Sequence, residues 1–478
     1  MSKSERRYFT VDAQKSNSRG SQYLELFKCI SRMDDYDEKK LRKKFGNSLP
    51  FDKKYLYDAI LRSMRDYRSK SSEAAQMREM LLDTKYLHER GHLRQSMNLL
   101  QRAKQLSEDL LENSVRLEIL DRERQLISDI REKDFPKQLE IVKKETALTI
   151  QKIEEEMVFN GFYDELSSLV LQHFTFREDK QKHSLQQKYG SSLLEAQPPV
   201  FPKSVRRYYQ CLALYHQLMG DYSQVYDYYS KVIDWWEQYP QFKQEEFNKY
   251  IVDLSNLMHA YISNQAFDLF PPLLKKMENS NPRNVNEKGV VFQKVTIYTL
   301  MYHLNTGIFD NIPALLQKIE AGLTQFSINT GSRLAILFNT TILLFITEDF
   351  EACAQWANRV IKKEKSNIRI DIQKAIRLLH LFSIVDEDPD YIDKTIRTFK
   401  RFLNQKANVR RNNFEYQIIQ LFQKVTTAPL SEEKKQYRQL LNYLEGSMSQ
   451  KIPFGMNEIL SFWVKARLEG KSIRELRY

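Results

Sequence analysis

The chain has 478 residues, a formal net charge of +12 and a sequence pI near 9.2, with 42% hydrophobic and 28% charged residues. That apolar share supports a core without disulfides, while only 13 glycines and 13 prolines leave too few turn residues for a β-sandwich or barrel. Three cysteines, Cys29, Cys211 and Cys353, lie far apart without a CxxC pair, which argues against a disulfide framework or a cysteine zinc site and for a reducing, cytoplasmic location.

The N-terminal stretch "MSKSERRYFTVDAQKSNSRGS" lacks the apolar run of a secretory signal. Residues 1–190 are expected to form an N-terminal helical region. Within it, His88-Glu89-Arg90-Gly91-His92 matches the HExxH zinc-protease signature letter for letter. "RLEILDRERQLISDIREK", Arg116 to Lys133, predicts a charged helix, which Pro136 breaks or restarts. An amphipathic run from Leu139 to Met157 is expected to turn at Asn160-Gly161. "YGSSLLEAQPPVFPK", Tyr189 to Lys203, holds three prolines and two serines, and a linker is expected at 191–204.

A repeat occupies residues 205–405. In Arg207 to Pro240, "RYYQCLALYHQLMGDYSQVYDYYSKVIDWWEQYP", an apolar helical stripe precedes the turn signal Gly220-Asp221. Tyr222, Val225, Tyr229 and Val232 then fall on one face of a second helix. The ladder recurs at Phe267, Phe270, Leu274 and Met277, and again at Phe309, Ile312, Leu316 and Ile319. Two further copies are Phe350, Cys353, Ala357 and Val360, then Ile392, Thr395, Phe399 and Phe402. The leading residues are 45, 42, 41 and 42 positions apart, so five hairpins of nearly constant length are predicted. One such hairpin cannot bury its apolar face alone, and stacking on neighbours does so, which predicts an all-α, α-solenoid architecture. The apolar run "LAILFNTTILLFIT", Leu334 to Thr347, is too short to span a bilayer and reads as a buried helix of that array.

"GDYSQVYDYYSKVIDWWEQYP" resembles the second half of a tetratricopeptide repeat in its Gly-Asp-Tyr turn, the aromatic Tyr229 and the closing Pro240. Two features depart from that family: Val225 and Val232 stand where it favours small residues, and its period is about 34 residues. The resemblance implies a groove lined by the first helix of each unit. That places Arg207, Gln210, Leu214 and Gln217 there, then His259, Lys294, Met301, Phe338, Ile342 and Phe345. The later positions are apolar for a face open to water, so the C-terminal segments "FEYQIIQLFQKV" and "ILSFWVKARL" are expected to fold back over them.

The same register laid on residues 74–104 puts Gly91 where Gly220 stands. Leu93, Ser96, Leu100 and Ala103 then occupy the ladder. An HExxH site needs both histidines on one continuous helix. Here Gly91 is expected to break that helix, and the third histidine of the longer zinc-protease pattern is replaced by Asn98. No GxxxxGK[ST], GxGxxG or GxSxG stretch occurs, and the other histidines are dispersed. No catalytic, cofactor or metal site is therefore expected.

Residues 391–478 carry 17 basic and 8 acidic side chains, so +9 of the net charge lies there. Within the basic C-terminal helices at 406–478, Arg410, Arg411, Lys434, Lys435 and Arg438 are the candidate contacts for an anionic partner; a solvated surface is the plainer alternative. The sequence thus reads as a non-enzymatic helical-repeat scaffold for a protein or peptide, with binding to nucleic acid or an anionic surface as the second reading.

Overall fold

The computed structural model describes residues 1, 3–15, 22–33, 36–69, 72–195, 197–363, 368–405, 413–448 and 452–478. Among them every regular element is helical and there is no β-strand. The chain divides into two compact units, 1–253 and 254–478. The proline-bearing segment 191–204 lies inside the first.

The first unit begins with α1 (Lys3–Lys15), α2 (Gln22–Ser31), α3 (Glu38–Phe45) and α4 (Leu49–Ser69). Phe9, Leu26, Phe27, Leu41 and Leu56 form a local core among these four helices. Next come α5 (Glu73–Glu89), α6 (Leu93–Asp109), α7 (Asn113–Ile130), the 39-residue α8 (Phe135–His173) and α9 (Asp179–Tyr189). The unit closes with α10 (Pro202–Met219), α11 (Tyr222–Gln238) and the short α12 (Phe242–Glu245), and α13 (Phe247–Ser263) spans the division.

Pro136 sits in the first turn of α8, where its missing N–H costs no helical bond. The expected turn at Asn160-Gly161 does not form, and α8 runs through it. A lone helical glycine costs only about 1 kcal/mol. The apolar stripe continues across it: Phe159, Phe162 and Leu166 pack with Tyr208, Cys211 and Leu212 of α10. Tyr189 and Leu193 are buried in the same cluster, so the chain between α9 and α10 is anchored rather than loose.

In the second unit follow α14 (Phe270–Glu278), α15 (Val285–Thr306), α16 (Ile312–Gln325), α17 (Thr330–Ile346), α18 (Phe350–Lys363), α19 (Ile370–Ser383) and α20 (Pro389–Gln405). The last helices are α21 (Phe414–Thr427), α22 (Leu430–Gly446), α23 (Met456–Glu469) and α24 (Ile473–Arg477). α17 buries eleven side chains, Leu334 to Ile346, on almost every side. α23 is as deeply placed: Met456, Ile459, Leu460, Trp463 and Val464 join the same core, and Trp463 stands edge-on to Phe382 of α19 at 4.9 Å.

Two turns show how the sequence sets helix ends. Gly220 ends α10 in the left-handed region at φ +82°, and Asp221 caps α11 by accepting from the Gln224 N–H. Gly470 takes the same conformation between α23 and α24, at φ +70°. A side chain is strained at either position by roughly 1–2 kcal/mol. At Gly220 a Cβ would also press on Thr175 at 3.2 Å, whereas at Gly470 it meets open space. Gly220→Val should therefore lower the melting temperature more than Gly470→Val does. Equal losses in a thermal scan would contradict the packing assigned to Gly220.

Candidate functional site

The HExxH stretch resolves into a helix end. α5 stops at Glu89, Gly91 turns at φ +79°, and His92 precedes α6. His88 is engaged elsewhere, its Nε2 lying 2.8 Å from Asp129 Oδ2. Ser96, Leu100 and Ala103 are fully buried, which is why the turn falls where it does. Among the described residues no cluster of three or more His, Cys, Asp or Glu side chains is arranged to hold a metal ion.

The groove candidates are mostly covered. In the first unit Gln210, Leu214 and Gln217 are buried. Arg207 donates to Asn160 of α8 at 2.8 Å and lies 4.1 Å over the Tyr163 ring. Gln210 donates to the wholly buried Asp253 at 2.6 Å, which also accepts from the Trp236 indole at 2.9 Å. In the second unit Phe338, Ile342 and Phe345 are buried. Phe454, just before α23, packs on Phe338 with ring centroids 4.6 Å apart. His259, Lys294 and Met301 are half-buried. Burial disfavours the charged forms of His259 and Lys294 and lowers both pKa values.

The end of the chain is also pinned within the second unit. Ile473 is fully buried. Tyr478 donates through its hydroxyl to the Leu304 carbonyl at 2.6 Å, and Arg474 donates to the Gly307 carbonyl at 3.3 Å. Gly307 is glycine for a packing reason, since a Cβ there would stand 2.6 Å from the Tyr478 ring. Deleting residues 453–478 should uncover Phe338 and the core side of α19, lower the melting temperature and raise hydrophobic-dye binding severalfold. A truncated protein that stays dye-silent and equally stable would show that these contacts contribute little.

Of the basic candidates, Lys434, Lys435 and Arg438 are exposed on one face of α22, opposite the buried Tyr437, Leu440 and Leu444. Arg410 and Arg411 lie outside the described residues.

One constellation escaped the sequence reading. α18, α19 and α20 line an open cavity of about 390 Å³ bordered by Asn358, Ile361, Lys362, Arg377, His380, Tyr391, Lys394, Thr395, Thr398 and Phe399. No carboxylate among the described residues lines it. Arg377 is 7% exposed; its guanidinium carbon sits 3.6 Å over the Phe402 ring, and its Nη1 donates to the Gln373 carbonyl at 2.8 Å. His380 is 3% exposed, with its Nε2 lying 3.1 Å from the Asn358 side-chain amide nitrogen. Arg377 Nε and His380 Nδ1 are both buried without a hydrogen-bond partner. The sequence signal was weak: Lys362, Arg377, His380 and Lys394 belong to three helices and look like scattered surface charges.

Burial, with Arg377 and Lys362 nearby, pushes His380 down to about 4 from an ordinary 6.5. The unfolded chain therefore takes up this proton first as pH falls. Stability contributed by the neutral ring is complete above about pH 6.5 and is lost on acidification towards 4. Lys362, Arg377 and Lys394 stand around the same cavity on α18, α19 and α20. Relative to His380→Gln, the wild type should lose on the order of 1–3 kcal/mol between pH 7 and 4.5. Parallel denaturation curves for the two proteins over that range would remove His380 as a titrating group.

The described residues define an all-helical protein whose helices pack against their neighbours, and none of those helices is long and apolar enough to cross a membrane. No protein-family model, no curated protein and no solved structure matches the chain.

Proposed function

We propose that the chain is a non-enzymatic, tetratricopeptide-like helical-repeat scaffold that binds a protein partner, its hairpins of about 42 residues stacking as an α-solenoid. The observation that carries this reading is the ladder. Val225, Tyr229 and Val232 are buried on α11, Cys353, Ala357 and Val360 on α18, and Ile392, Phe399 and Phe402 on α20. On α11 and α18 the buried residues fall at the same offsets from the turn, which supports repeat packing, while Leu274, Ile312, Leu316 and Thr395 at the matching positions of the other copies are half-buried. Because most of the expected groove residues are covered by the chain's own side chains, the partner surface on this reading is an outer one.

The second reading, an anionic partner, is favoured by the exposed trio Lys434, Lys435 and Arg438. Salt separates the two, since phosphate contacts weaken steeply with ionic strength and apolar anchors do not. Affinity capture from native lysate, with wild type and Lys434→Glu/Lys435→Glu/Arg438→Glu in parallel, tests them together. Proteins held at high salt by both forms support the scaffold. Material held only at low salt, and only by the wild type, supports the anionic reading. No specific retention under any condition would count against both.

A further inference from the structure

The cavity between α18, α19 and α20 gathers cations around a buried guanidinium, with no carboxylate among its described lining residues. Several other deeply placed cations meet a carboxylate: Arg206 reaches Glu246 at 3.2 Å, Lys104 reaches Glu123 at 2.8 Å, and Lys374 reaches Glu415 at 2.5 Å. Arg377 has no such partner among the described residues. Its neighbours in the cavity are two more cations, Lys362 and Lys394, and a histidine whose Nδ1 has no hydrogen-bond partner. Burying a guanidinium without a counter-charge is costly, and so is an orphaned buried N–H. The arrangement is an incomplete site, and what completes it is an anion.

We propose that this cavity binds a phosphate group, either free or carried by a small organic molecule. The charge calls for more than one negative unit, since Lys362, Arg377 and Lys394 bring three positive charges to one space. A phosphate also has oxygens enough for the many donors present. Arg377 and His380 line the interior, and the Thr395 hydroxyl with the Asn358 amide supplies neutral donors. The exposed Lys362 and Lys394 stand at the rim, where they draw an anion in. A volume of about 390 Å³ lies in the range of small-molecule sites and exceeds what a bare ion needs. Ile361, Tyr391 and Phe399 give it an apolar wall on which a carbon skeleton can rest.

This proposal goes beyond the scaffold reading and does not depend on it. It is tested by calorimetric titration of the full chain with inorganic phosphate and, separately, with glycerol 3-phosphate, against chloride and acetate at matched ionic strength. The wild type should bind phosphate, and Lys362→Ala/Lys394→Ala should weaken binding about tenfold, as should Arg377→Gln. The two lysines are exposed, so the double variant keeps the test open if Arg377→Gln fails to fold. Tighter binding of glycerol 3-phosphate than of the ion assigns the site to organic phosphates, and the reverse order assigns it to the free ion. The absence of a phosphate-specific signal, or a signal that the lysine variant leaves unchanged, would overturn the proposal.

Discussion

A helix that is apolar on every side needs a neighbour on every side. α17 is such a helix, with Leu334 to Ile346 almost wholly buried, and the second unit is arranged around that demand. α18 covers one flank through Cys353, Trp356 and Ala357, and α19 brings Ile376, Leu379 and Phe382 to the same core. The aromatic ring of Phe454 covers Phe338. α23, itself buried on several faces, fills the remaining interior with Trp463 and Leu460. Each fully buried Leu, Ile or Phe contributes roughly 1.5–3 kcal/mol relative to exposure. The unit is therefore held by its interior apolar helices rather than by its surface ion pairs, most of which are solvent-exposed and weak.

Two buried guanidiniums, Arg206 in the first unit and Arg377 in the second, differ in what compensates them. In the first, Arg206 is sandwiched against Trp235 and Trp236 at 4.8 and 4.5 Å and still reaches Glu246. Nearby, Asp253 is satisfied by Gln210 and Trp236. The Arg206 charge is met by a carboxylate even though its Nε and Nη1 have no hydrogen-bond partner. In the second, Arg377 has an aromatic face and one carbonyl but no opposite charge. That contrast, more than the charge of the C-terminal region as a whole, distinguishes a structural cluster from a receptive one.

The helical class was legible in the sequence because it rests on local signals. Period, scarce Gly and Pro, and turn glycines act within a few residues, so Gly91 and Gly220 fall at helix ends. Gly161 misled because a glycine signals a turn only when the apolar stripe stops beside it, and Phe162 and Leu166 continue the stripe. The prolines near residue 200 suggested a loose linker, yet Tyr189 and Leu193 anchor that chain in the core. The groove assignment carried over positions along helices but not what covers them. Gln210 and Gln217 are polar, and nothing local tells that α8 and Asp253 lie against their face. The cationic cavity was invisible for the same reason, since its residues come together only when α18, α19 and α20 pack.

The pinning of Tyr478 on Leu304 joins residues 174 positions apart. Contacts of that span form only after the intervening residues have been made, and they raise the contact order of a fold otherwise rich in local contacts. At roughly 5–20 residues per second, the interval between completing α17 and supplying α23 and α24 is on the order of ten seconds. For that time the nascent second unit holds an apolar helix without its covering. This is the window in which such a chain is open to misassembly with a neighbour or to protection by a chaperone.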